Sequence, residues 1–227
     1  MENVFKIFLV LHIAGGTLGL ITGTINLIRR KGDRIHKRTG KVFMYSMLTA
    51  GFSSLVLSIL HPNYFLFMIG IFTLYMIATG KRYINMKLSG GTQKATRVDW
   101  GITIVMLAAA VLFIGLGIKI LTKPNFFGTV FIVFGTLGLL FVKLDFVNYQ
   151  GRSRAKNYWL LAHLQRMTGA YIASLTAFLV VNAKYFPEYM PAALFWLLPT
   201  AILVPFIIRW SRKYEVRKKA VPNQPLN

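Results

Sequence analysis

His12, His36, His61, His163, Asp99, Asp145 and Arg166 are the residues of this chain that could do chemistry, because each lies within or at the end of a long apolar run. Ionisable groups are costly in hydrocarbon and tend to be kept there for a purpose. The chain has no cysteine, so disulfides, thiolate metal sites and thiol catalysis drop out at once. Imidazoles placed at two depths are instead what a two-haem transmembrane cytochrome needs, since each iron takes one neutral ring nitrogen from either side.

The inner pair is His36 and His163. The stretch HKRTGKVFMYSMLTA, His36 to Ala50, returns in degenerate form 127 positions later as HLQRMTGAYIASLTA, His163 to Ala177, and GTLGL precedes both copies, at Gly16 and at Gly135. A parallel repeat of residues 16–50 and 135–177 would set the two histidines at equivalent depths about a pseudo-two-fold axis, facing one cavity. Arg34, Lys37, Arg38 and Arg166 would then stand near enough to neutralise haem propionates, and Met167 could add soft packing or an alternative axial ligand. The expected cofactor-binding residues are therefore His36, His163, Arg166 and His12, with haem b as the cofactor; a bare metal ion would fall to His36 and His163.

Each of these residues also has a plainer structural role open to it. His36 sits in a basic interfacial cluster, His12 and His163 could serve interhelical hydrogen bonds, and His61 precedes Pro62 at a turn. Asp99 opens a helix beside Arg97, where a carboxylate complements the helix dipole. Asp145 lies near the C-terminal end of its helix, where the dipole disfavours it, so a cationic partner is expected. Arg166 is itself expensive inside the sixth span, which predicts an Asp145–Arg166 ion pair between spans five and six.

The elements that must position these groups follow from composition. With 55% apolar residues, six acids and a mean hydropathy of +0.55, the chain is a membrane protein. The formal charge of +21 does not point to nucleic acid, because the lysines and arginines cluster between apolar runs. Seven runs are long enough to cross about 30 Å of hydrocarbon: Val4–Ile28, about His36–Leu60, Tyr64 to about Gly80, Val98–Leu121, Phe126 to about Val147, Tyr158–Asn182 and Pro191–Ile208. The first reads as a retained helix, since its basic residues follow the apolar run rather than precede it. Gly15, Gly19 and Gly23 give that helix a face for close approach. Arg29 to Lys41 holds seven cations against Asp33, and the other alternate connections and the C-terminal segment are basic too. That bias places the N-terminus outside and the C-terminus inside. Residues 1–220 form one seven-helix domain, and 221–227 a disordered tail.

Several motifs carry a family resemblance: LHIAGG in the first helix, H-x-R-T-G after the basic turn, HPN, the TGKR exit of the third span, VDW opening the fourth and HLQRMTGA in the sixth. From about His12 to about Ala177 the chain resembles the bacterial family known as domain of unknown function 2306. The resemblance implies a small polytopic protein of a bacterial cytoplasmic membrane and brings no catalytic residues with it. Function is then expected from the ionisable groups: a haem-b-binding redox or membrane-complex assembly protein, in contact with the lipid bilayer and with a membrane-protein partner or a second copy. A small-molecule transporter would show midplane polar groups and broken helices, for which only Thr22, Thr24, Asn26, Pro199 and Pro205 speak. A metal-dependent hydrolase would gather His36, His163, Asp99 and Asp145 around an open coordination position. A retinal-type receptor is excluded, because Pro191–Ile208 holds no lysine.

Overall fold

The computed structural model describes residues 2–88, 95–121 and 127–217. Its long elements are all helices: α1 (Glu2–Ile28), α2 (Arg34–Leu60), α3 (Tyr64–Leu88), α4 (Arg97–Leu121), α5 (Phe127–Tyr149), α6 (Tyr158–Val181) and α7 (Ala192–Tyr214). A 3₁₀ turn, Ala183–Tyr185, follows α6, and Ala155 forms an isolated antiparallel bridge with Arg217. All seven helices are long and apolar enough to span a membrane. Helix is the form such segments must take, because a bilayer offers no water to satisfy backbone donors and acceptors. The all-helical, seven-span architecture read from the sequence is therefore present. The expected tail at 221–227 lies outside the described residues.

Helix ends depart from the apolar pattern in an instructive way. α3 continues beyond Gly80 to Leu88 and α7 beyond Ile208 to Tyr214. Lysine and arginine are good helix formers, and their long stems let the charge reach the interface while the backbone stays helical, so hydrophobicity ends before the helix does. α2 starts at Arg34 because Asp33 caps it, its carboxylate accepting from the His36 amide at 2.6 Å.

α1 lies along α2 and α4 along α5, while α3 stands centrally, touching α2, α4, α5 and α6. α6 packs on α3, α7 and α1. Both hairpin seams are lined by glycine. A Cβ at Gly15 would come within 2.9 Å of the Ser46 carbonyl oxygen, and one at Gly135 within 2.8 Å of the Ala110 carbonyl oxygen. Met47 covers Gly19 on the first seam and Met106 covers Gly138 on the second. The two GTLGL segments thus both sit in close helix contacts, but the packing order is not repeated: α1 pairs with the helix after it, whereas α5 pairs with the helix before it. Met47, Met68, Met76, Met106 and Phe113 are fully enclosed in the common core. Outward, α1 presents Ile7, Val10, Ile13 and Ile21 to the lipid, and α7 presents Leu197 and Ile202. Between α5 and α7, floored by α3 and α6, runs an apolar groove of about 550 Å³ lined by residues such as Phe134, Phe141, Ile172, Trp196 and Val204.

Candidate functional site

Four helices meet on the carboxylate of Asp145, which is wholly buried. Its Oδ1 accepts from Arg166 Nη2 at 2.6 Å and from the Tyr83 hydroxyl at 2.6 Å. Its Oδ2 accepts from the Tyr75 hydroxyl at 2.5 Å and from Thr103 Oγ1 at 3.2 Å. A carboxylate has about four acceptor positions, so this one is filled. Arg166, 2% exposed, also donates to the Phe141 carbonyl at 3.0 Å. Its guanidinium lies over the rings of Phe141 and Tyr75, at 4.1 and 4.9 Å from their centroids. Around this centre Asn148 donates to the Tyr83 hydroxyl at 3.2 Å. A buried charge is tolerated when it is both paired and hydrogen-bonded, and here both conditions hold. The expected Asp145–Arg166 pair is thus present, and it works as a clamp joining α3, α4, α5 and α6.

Sequence reasoning missed the clamp's neutral members. Tyr75 and Tyr83 stand eight residues apart on α3, within about a quarter turn of one another at 3.6 residues per turn. A tyrosine inside an apolar span needs a partner for its hydroxyl, and that signal could have led from them to the nearest buried carboxylate.

A second charged centre closes the basic end of α3 and α4. Asp99, 1% exposed, forms a reciprocal capping arrangement with Thr96: the Thr96 amide and hydroxyl both donate to Asp99 Oδ2 at 2.7 Å, and the Asp99 amide donates back to Thr96 Oγ1 at 3.4 Å. Its cation is Arg82 of α3, which donates through Nε to Oδ1 and through Nη2 to Oδ2. Arg97, the neighbour expected from sequence proximity, is not that partner. The carboxylate faces back into the bundle, towards the C-terminal turns of α3.

The histidines divide by position. His163 is turned into the bundle, with Nδ1 2.9 Å from the Gly80 carbonyl oxygen. Since a carbonyl only accepts, the proton sits on Nδ1, and Nε2 keeps its lone pair when the ring is neutral. His36 is half-buried in the first turns of α2. Arg34, Lys37 and Arg38 surround it on exposed positions, and Met167 packs over Gly80 beside His163. His12 stands elsewhere: its Nδ1 donates to the Ala50 carbonyl at 2.9 Å, fourteen residues along α2 from His36 and so about 21 Å from it. His61 ends α2 and stacks edge-on against Phe5, with centroids 4.3 Å apart. His12 is therefore not part of the inner group. Among the described residues no three of His, Asp or Glu come together as metal ligands. A hydrolytic metal centre needs about three protein ligands, so the grouping of His36, His163, Asp99 and Asp145 is not assembled.

Helices of this length, with apolar flanks turned to lipid and charges paired inside, define a multi-pass α-helical membrane protein. Residues 9–87 match the model of the family described as a predicted membrane protein, domain of unknown function 2306, which supports the family named by the motifs. The matched stretch holds His12, His36, His61, Tyr75, Arg82 and Tyr83, and ends before Asp99, Asp145, His163 and Arg166. No curated protein and no solved structure matches the chain.

Proposed function

We propose that this protein binds haem b at the basic end of the bundle, between His36 and His163, and serves electron transfer or the assembly of a membrane complex with a partner protein or a second copy. The observation that carries the reading is the His163 ring. An Nδ1–H held by a backbone carbonyl fixes the tautomer and presents Nε2, which is how proteins orient a histidine that ligates metal. His36, in the first turns of α2, would supply the second imidazole, and Arg34, Lys37 and Arg38 supply positive charge for carboxylates at the interface. Bound there, haem would provide a one-electron couple. The chain's own part is to hold two imidazoles, exclude water with Gly80 and Met167, and neutralise the cofactor's acidic edge.

The same reading places the basic connections on the cytoplasmic side of a bacterial inner membrane, with the N-terminus outside. A reporter fused after Ala220 is expected to read cytoplasmic, and an external reading would reverse the orientation. Haem itself is tested by a reduced-minus-oxidised absorption spectrum of the detergent-purified protein made with ample haem supply. A b-type band that His163→Ala abolishes and His12→Ala leaves intact is the expected result. A wild-type protein without that band would sink the proposal, as would a band indifferent to His163 and His36.

A further inference from the structure

A separate site stands where α1 and α7 end side by side. Arg29, Arg30 and Lys31 leave α1, Arg209 and Lys213 occupy the last turns of α7, and together with Trp210 they line a cavity of about 310 Å³. Five cations thus face one another across a small space, and the acid beside them is Asp33, 3.1 Å from Arg29. Like charges at such spacing repel unless an anion sits among them.

Two of the five are already engaged. Arg29 holds Asp33, and Lys31 turns back on α1, donating to the carbonyls of Asn26 at 2.6 Å and Leu27 at 2.8 Å with its ammonium 4.1 Å from the Trp210 ring centroid. Lys31 thereby caps the C-terminus of α1 and pins α1 to α7, and partial burial holds its ammonium below the ordinary lysine value. Arg30, Arg209 and Lys213 have no acidic partner among the described residues. The walls below them are apolar and face the bilayer: Ile28 is 81% exposed and Phe206 44%. A ligand that satisfies both halves carries a phosphate at the top and hydrocarbon below.

We infer that this cavity is a binding site for the phosphate headgroup of an anionic glycerophospholipid. The phosphate sits among Arg30, Arg209 and Lys213, where guanidinium groups pair with phosphate oxygens by charge-assisted hydrogen bonds. Trp210 lies against the glycerol region, as indoles do at membrane interfaces, and the acyl chains run down past Ile28 and Phe206. This site is independent of the haem reading and lies on different helices from His163.

The test is native mass spectrometry of the full chain, delipidated in neutral detergent and titrated with phosphatidylglycerol, with phosphatidylcholine and with inorganic phosphate. Phosphatidylglycerol is expected to bind at least tenfold more tightly than phosphatidylcholine, and inorganic phosphate to compete only weakly. The triple variant R30Q/R209Q/K213Q should lose that preference, whereas R152Q/R154Q/K156Q, which removes as much charge from another loop, should keep it. Equal binding of the two lipids, or equal loss in both variants, overturns the inference. Tight binding of phosphate without a lipid preference would assign the site to a free anion and overturn it too. If the triple variant does not accumulate, Lys213→Gln alone carries the test: a roughly threefold loss is expected, and none overturns the site.

Discussion

Asp145 and Asp99 are both almost fully buried and both bound to an arginine, yet they are built for different surroundings. Asp145 lies well inside the bundle; its cation is as buried as itself, and its remaining lone pairs are filled by two tyrosines and a threonine from other helices. Asp99 stands at a helix start, its cation Arg82 is 31% exposed, and most of its remaining bonds come from Thr96, three residues away. The first centre ties four helices together across long sequence distances. The second joins two consecutive helices and shares its charge with solvent. Depth decides the design: both carboxylates are saturated by protein donors, but deep in the bundle the cation must be enclosed as well, while near the interface it can stay partly in water.

That contrast can be broken by mutation, beginning with the deeper centre. Arg166→Ala leaves Asp145 without its cation and should cost about 3–5 kcal/mol of stability in detergent, the scale for breaking a buried ion pair. The double variant with Asp145→Ala should cost clearly less than the two single losses added together. Independent, additive losses in thermal unfolding would show that the pair is not coupled. Arg82→Ala should be milder, about 1–3 kcal/mol, because Thr96 still bonds Asp99 and solvent screens the vacancy. Its cost should shrink further in high salt, and a loss as large and salt-independent as that of Arg166→Ala would erase the distinction.

Asp33, a quarter exposed and placed in a connection outside the helices, extends the series outward and should give the smallest effect. The hydrogen bond donated by the His36 amide, followed by the charge of Arg29, holds its carboxyl below the usual aspartate value. A group whose folded pKa is depressed stabilises above its unfolded value, near about 3.9, and loses that contribution as pH falls through the lower folded value. Amide hydrogen exchange at His36 should therefore quicken, relative to its neighbours, only as pH drops below about 4. An onset near neutrality would point to His36 itself instead of the cap.

How much of this was legible beforehand depends on which physical rule was in play. The spans could be read because hydrocarbon thickness fixes the length of an apolar run, and the Asp145–Arg166 pair because two misplaced charges in neighbouring spans each needed the other. Arg82 was hidden because Arg97 is the nearer cation in sequence, whereas helix geometry turns Asp99 towards α3. Tyr75 and Tyr83 were hidden because aromatic residues in a membrane span also serve packing. The repeat of GTLGL was visible in the sequence, but the partner of each copy was not. Small residues license close approach to any neighbour and do not say whether that neighbour comes before or after in the chain. The groove between α5 and α7 and the basic cavity between α1 and α7 depend on which helices fail to touch, which periodicity does not encode.

α7 is a wall of both spaces, and it packs chiefly on α6. Pro199 and Pro205 lie inside it, and proline has no amide hydrogen. The carbonyls of Phe195 and Ala201, four residues earlier in each case, therefore have no donor in the helical ladder. Two rungs are missing within seven residues of a helix that walls an apolar groove. Of the seven helices α7 is the one whose curvature can change with the fewest backbone bonds lost. Its stiffness is set as much by what leans against it as by its own backbone.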